Sequence, residues 1–197
     1  MTEKEKMLSG KLYLSNDQTL AQELKKCKSL IFKYNQTPPS EIHEKEILIS
    51  QIIGKIGKNF HIESPFFCDY GYNIEIGDNF YANHNVIILD CAKVKIGNNV
   101  FLAPNVSLFT AGHPIDFEKR NQSLEYAFPI TIGNNVWIGG NTTITPNVTI
   151  GNNVVIGAGS VITKDIPDNV IAFGNPCKVH REINEEDKKY YFKNLEY

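Results

Sequence analysis

Between Phe128 and Thr163 isoleucine returns every six residues, at Ile132, Ile138, Ile144, Ile150, Ile156 and Ile162. A second row follows four residues after each, at Val136, Thr142, Val148, Val154 and Ser160. Gly133, Gly139, Gly151 and Gly157 each follow an isoleucine, and asparagine pairs mark further turns at Asn134–Asn135 and Asn152–Asn153. An α-helix repeats every 3.6 residues and a strand every two, so neither explains six. A period of six follows if each hexad is one short strand plus one turn. The branched apolar residue then points inward, and glycine and asparagine supply turn conformations with φ > 0. Coils stack like on like, which predicts a mainly β chain wound as a parallel β-helix. A sandwich of short strands would space its turns at roughly 8–12 residues instead.

The places where the period fails are as informative. Upstream, Ile76, Ala82 and Ile88 keep step, but the step to Ile96 is eight residues, so two are inserted around Asp90–Cys91–Ala92. The pattern resumes through Leu102 and Leu108 and then breaks over 109–129. Insertions in a stacked core must loop outward, and loops on a rigid scaffold are where chemistry is usually placed.

Residues 1–58 read as a helical segment, 59–181 as the β-helix and 182–197 as a tail. Leu20, Leu24, Cys27, Ile31 and Tyr34 form one helical stripe, with Asp17 or Ser15 at its start and Pro38–Pro39 at its end. Ser40 is expected to cap a second helix carrying Ile42, Ile49 and Ile53, ended by Gly54 and Gly57. The charged, aromatic tail is expected to form a short helix.

A net charge of −2 gives no global basic field to recruit nucleic acid or an anionic membrane. No apolar run approaches the ~20 residues of a membrane span. The charged stretch Met1 to Gly10 lacks a signal-peptide core, so the cytoplasm is the expected compartment. The four cysteines, Cys27, Cys68, Cys91 and Cys177, are scattered with no Cys-x-x-Cys pair, which predicts neither a zinc knuckle nor a redox motif.

The long insertion opens with Thr110-Ala111-Gly112-His113-Pro114. Gly112 permits a sharp turn, and an outward histidine is a suitable general base near neutral pH. Glu125, at the far end, is placed to fold back and orient the imidazole. The earlier interruption carries Asp69, Asn83, Asp90 and Cys91. Taking residues 18 apart as stacked neighbours brings Asn83 near the His113 loop, where its amide can meet an oxyanion. Asp69 and Asp90 can accept from substrate hydroxyls. Lys164, Lys178 and Arg181 follow the last regular coils and suit a phosphorylated ligand. Each of these residues also has an ordinary reading as turn-forming or solvated surface.

Several motifs carry more than their spacing. Asn79-Phe80-Tyr81-Ala82-Asn83, Thr110-Ala111-Gly112-His113-Pro114 and the run from Pro129 to Gly140 resemble the maltose and galactoside O-acetyltransferases, which include the nodulation acetyltransferases. So do Gly157-Ala158-Gly159-Ser160-Val161 and Thr163-Lys164-Asp165-Ile166-Pro167, and the likeness runs from Lys6 to Asn184. The resemblance implies a left-handed β-helix, although parallel crossovers are usually right-handed. It also implies a homotrimer that binds acetyl-CoA between subunits and transfers acetyl to a sugar hydroxyl, with no metal. By the same match His113 is the catalytic base and Asn83 lies in the transfer site. Asp69 and Asp17 stand on the substrate side. Trp137, Gly140, Ala158, Ser160, Thr163, Lys164, Lys178 and Arg181 match the coenzyme groove. Cys91 stands where the galactoside enzymes carry a second aspartate after Asp90, and Lys178 replaces an arginine. Asp69 and Gly140 follow the maltose-type pattern.

Three other readings stay open on sequence alone. The scaffold can serve an acetyltransferase with a non-sugar acceptor, although the His-x-x-Asp-Trp of the antibiotic-modifying type is absent. It can serve a γ-type carbonic anhydrase, although His84 and His113 do not supply three zinc-binding histidines. It can also serve as a non-catalytic assembly solenoid.

Overall fold

The computed structural model describes residues 1–197. From Lys55 the chain winds as a β-solenoid of three parallel faces. Face I comprises Lys55–Ile56, Ile74–Ile76, Val94–Ile96, Ile130–Ile132 and Thr149–Ile150. Face II comprises His61–Ile62, Tyr81–Ala82, Phe101–Leu102, Val136–Ile138, Val154–Ile156 and Val170–Phe173. Face III comprises Phe66–Cys68, Val86–Leu89, Ser107–Phe109, Thr143–Ile144 and Val161–Ile162.

The single row of isoleucines in the sequence becomes three inward columns. On face I, Ile56, Ile76, Ile96, Ile132 and Ile150 lie in register. Face II stacks Ile62, Ala82, Leu102, Ile138, Ile156 and Ala172. Face III stacks Cys68, Ile88, Leu108, Ile144 and Ile162. These columns fill one continuous buried core, and burial of apolar area at roughly 25 cal/mol per Å² is its main driving force.

Asparagine does supply the positive φ of the turns, for example at Asn79, Asn99, Asn135 and Asn153. The glycines after the isoleucines do not share it. A side chain at Gly133 would instead come within 2.6 Å of the Gly151 carbonyl oxygen one coil away. Those glycines are needed because adjacent coils approach too closely for a Cβ.

Helix α1 (Glu3–Leu8) was not apparent from periodicity. Thr2 and Glu5 form a capping box at its start. Helix α2 (Gln18–Gln36) starts at Asp17, whose carboxylate accepts from the Thr19 and Leu20 N–H groups. Helix α3 (Ile42–Ile52) begins after Glu41 with no side-chain cap, so Ser40 does not play that part. Helices α2 and α3 close the open end of the core, contributing Cys27, Ile31, Tyr34, Ile49 and Ile52. Asn35 ties α2 to the first coil through both its amide atoms, to the Phe66 N–H and carbonyl. No helix is long and apolar enough to cross a membrane.

The tail is not a helix beyond a single turn. Lys178–Glu182 pairs antiparallel with Val170–Phe173, because the open edge of face II offers unpaired backbone groups. A 3₁₀ turn follows at Glu185–Lys188, and Tyr190–Phe192 pairs with Leu195–Glu196 as a hairpin.

Candidate active site

The interruptions of the repeat share one edge of the prism, where face III passes to face I. The sequence shows two of them; the structure adds a third at residues 69–73, one coil below the Asp90 insertion. Both lower coils are 20 residues long, as Glu75 pairs with Lys55 and Lys95 with Glu75. Above the long loop one coil needs only 18, as Thr149 pairs with Thr131, and the last only 16, as Ile166 pairs with Ile150. The step of eight from Cys68 to Ile76 was the available signal, hidden because cysteine stands in the isoleucine column.

Asp90 organises this edge from inside. Its side chain is buried, and Oδ1 accepts from the Asp69 and Tyr70 N–H groups at 3.1 and 2.8 Å. Oδ2 accepts from the Asn73 N–H at 3.3 Å. Burial raises its pKa to about 6, against the opposing pull of those backbone donors. Asp90 therefore shapes the insertion and does not present a carboxylate to a ligand, contrary to its expected substrate role. Asp69, half-buried, takes the Cys91 thiol at 3.6 Å, and desolvation raises its carboxyl pKa. Cys91 is itself buried, and its thiol pKa is pushed up by that burial.

The long loop is ordered. Ala111–Gly112 pairs antiparallel with Leu124–Ala127, which pairs on its other side with Tyr13–Leu14. Between them lies helix α4 (Phe117–Asn121). Gly112 has no positive φ; a Cβ there would meet the Tyr126 ring at 2.6 Å, so glycine is needed for close packing. The register Ala111↔Ala127 and Gly112↔Tyr126 places His113 opposite Glu125. Tyr13 stands opposite Glu125 from the other side. Cross-strand neighbours share a face, so three side chains form one row. Glu125 Oε1 lies 3.8 Å from His113 Nε2, and Glu125 Oε2 accepts from the Tyr13 hydroxyl at 2.7 Å. At 3.8 Å Glu125 is a counter-charge to the imidazole and not a hydrogen-bonded orienter. Tyr13 has no periodic context, so sequence reasoning missed it. Asp17 follows two residues after Ser15, whose N–H bonds the Ser123 carbonyl of the same loop.

Asn83 is elsewhere. It lies on the edge between faces II and III, so the chain does not bring it to the loop bearing His113. Residues one coil apart stack only on the same edge, and the coils here are 20 residues long. Asn83 Oδ1 accepts from the His84 N–H at 2.7 Å, leaving its amide N–H groups unspent. Beside it Tyr81, Phe101, Leu102, Ala103 and Trp137 line an open apolar trough of about 460 Å³ on face II. Gly140 and Ala158 continue the same edge upward, as the Gly159 N–H bonds the Gly140 carbonyl. A Cβ at Gly140 would press on the Pro104 carbonyl at 3.1 Å.

The remaining coenzyme-groove candidates divide. Thr163 and Lys164 are exposed on the III–I edge, whereas Lys178 and Arg181 lie on the added strand beyond face II. Ser160 is buried, with its hydroxyl spent on Gly157 and Gly174, so it offers no side-chain contact to a ligand. Arg181 is committed to Asp187 through two N–H···O bonds at 2.6 and 2.7 Å. That pairing holds the Asp187 carboxyl down at about 2. No three His, Cys, Asp or Glu side chains converge as a metal site.

Comparison with known proteins decides the family. The maltose acetyltransferase hexapeptide capping motif matches residues 6–57, and the bacterial transferase hexapeptide (six repeats) matches 129–164. The galactoside O-acetyltransferase of Escherichia coli K12 is 50% identical over 96% of this chain and 93% of its own. The chain belongs to the galactoside and maltose O-acetyltransferase family. Among solved structures, a galactoside acetyltransferase in complex with coenzyme A superimposes with a TM-score of 0.97 at 49% identity, covering 100% of this chain and 98% of that one. A maltose O-acetyltransferase from Clostridium difficile 630 gives 0.92 at 55% identity, covering 94% of this chain and 99% of that one. The row His113–Glu125–Tyr13 lies on the III–I edge, and the Asn83–Trp137 trough lies at the II–III side of face II.

Proposed function

We propose that the protein transfers an acetyl group from acetyl-CoA to a sugar hydroxyl in the cytoplasm, with His113 as general base. The observation that carries this reading is the cross-strand row that sets a carboxylate beside an exposed imidazole on an ordered loop. The acceptor hydroxyl gives its proton to His113 as its oxygen attacks the thioester carbonyl. Glu125 stabilises the imidazolium that forms. The Asn83 amide donates to the oxyanion, and the imidazolium returns its proton to the departing thiolate. Asp69, with Asp17 beside the loop, faces the acceptor, and buried Cys91 backs Asp69 through its thiol; Trp137, Gly140, Ala158, Thr163, Lys164 and Lys178 face the coenzyme.

His113 and Asn83 occupy different edges of one chain, so the reaction needs a second copy. The outward rows indicate how copies meet. Face I presents Lys55, Glu75, Lys95, Thr131 and Thr149 to solvent. Face III presents Phe67, Ile87, Leu89, Phe109 and Val161, with Ser107 and Thr143. Face II is also apolar outward, but its Tyr81, Phe101 and Trp137 line the trough assigned to the coenzyme, so the face III row is the one left to bury. Three copies arranged with face III inward set the III–I edge of each against the II–III edge of the next, closing a ring. His113 and Lys164 of one copy then oppose Asn83, Gly140 and Ala158 of its neighbour.

His113→Ala is expected to lower acetyl transfer by ~10²–10⁴-fold, the usual contribution of a general base. Assembly and acetyl-CoA binding by calorimetry should be unchanged. A variant that keeps its rate sinks the assignment.

A further inference from the structure

The N-terminal strand is joined to the reactive loop more closely than a cap on the solenoid requires. Tyr13–Leu14 pairs only with Leu124–Ala127, so this strand of the three-stranded sheet comes from outside the loop. The Tyr13 ring is buried among Met7, Leu20, Tyr70, Cys91, Ala92 and Ala127. Its hydroxyl has two neighbours, the Cys91 thiol and the Glu125 carboxylate. Burial and the adjacent negative charge raise the phenol pKa, so the proton stays on Tyr13 and the hydroxyl donates.

This geometry divides the two oxygens of Glu125. Oε2 is held by Tyr13 at 2.7 Å, and Oε1 is left facing His113 at 3.8 Å. Without the phenol, Glu125 would be fixed by its backbone alone, because no other side chain donates to it. A glutamate has three side-chain torsions, so an unanchored carboxylate spreads over many positions, and few of them face the imidazole.

We propose that Tyr13 is a positioning residue for acetyl transfer: it holds Glu125 in the rotamer that sets a carboxylate beside His113. This rests on the reading of His113 as base. It makes the N-terminal segment part of the catalytic apparatus, and it gives Cys91 a second task, closing the apolar side of the Tyr13 pocket.

The test is a double-mutant cycle on the full-length protein, with steady-state rates for acetyl-CoA and a mono- or disaccharide acceptor. Tyr13→Phe keeps the ring and removes only the hydroxyl, so the buried cluster stays filled. It should lower kcat by about tenfold, the scale of one lost hydrogen bond to a charged group, with KM for acetyl-CoA within about twofold of the parent. In a Glu125→Ala background the same change should cost less than about twofold, because Tyr13 acts only through Glu125. An equal loss in both backgrounds, or no loss in the parent, overturns the proposal. His113→Ala is measured alongside. If it abolishes transfer while Tyr13→Phe is silent, the base stands and the positioning role falls. If His113→Ala keeps its rate, both fall. Glu125→Gln tests the charge that Tyr13 is proposed to place: the amide keeps the Tyr13 bond but brings no charge, so it should match Glu125→Ala in kcat, and a wild-type rate contradicts the proposal.

Discussion

Along the edge between faces I and II the coils turn nearly alike. Asn59, Asn79, Asn99, Asn135, Asn153 and Asn169 take positive φ. A ladder of side-chain oxygens joins each coil to the next: the Asp78 N–H bonds Asn98, the Asn98 N–H bonds Asn134, and the Asn134 N–H bonds Asn152, at 2.8 to 2.9 Å. Along the edge between faces III and I successive coils differ. Two lower coils carry a two-residue insertion, the third carries the loop of 109–129, and the upper ones carry none. The same acidic and amide side chains serve both edges, exposed and repeating on one, buried and unique on the other. Repetition makes each bond on the first edge replaceable by its neighbours. Singularity makes Asp90 the sole acceptor for three N–H groups that position Asp69 and Tyr70.

That contrast can be broken by substitution. Asp90→Ala leaves those three buried donors without an acceptor, and should cost about 3 kcal/mol or more in urea unfolding. Acetyl transfer should fall with it, because Asp69 and the Cys91 corner lose their support. Asn134→Ala removes one exposed rung and should cost about 1 kcal/mol, with kcat unchanged. Equal losses for the two variants would show that the edges do not differ as described.

A smaller effect sharpens the same point. The native Asp90 carboxyl keeps its proton to about pH 6, above its ordinary 3.8. Between those values the folded state binds the extra proton, so this contribution to stability is full below pH 3.8 and is lost as pH rises through 6. Thermal melts from pH 4 to pH 7 should show a decline in the parent relative to Asp90→Asn. Parallel curves would mean that Asp90 ionises as an exposed carboxylate does.

Much of the scaffold is legible in the hexad because an inward isoleucine column is both a local pattern and a tertiary contact. The helical stripe from Leu20 to Tyr34 is legible for the same reason. What escapes is set by long-range pairing. Cys68 conceals the first insertion, and Tyr13 acquires its place only by pairing with Glu125, 112 residues away. The strand Lys178–Glu182, leading into the tail, pairs with an open sheet edge that composition does not reveal. Asn83 and His113 are each recognisable, but which edge each occupies depends on coil length, which residue type does not reveal. Asp90, Ser160 and Arg181 show the limit of reading by residue type, since their polar atoms are already spent within the chain.

The central claim is that the reactive loop of one copy works against the Asn83 edge of another. Mixing tests it directly. His113→Ala and Asn83→Ala proteins, each inactive alone, are unfolded together in equal amounts, refolded and assayed for acetyl transfer. Random threefold assembly leaves one intact interface in each mixed ring, so about a quarter of the wild-type rate should return. If both residues act within one copy, no ring contains an intact site and the mixture stays inactive.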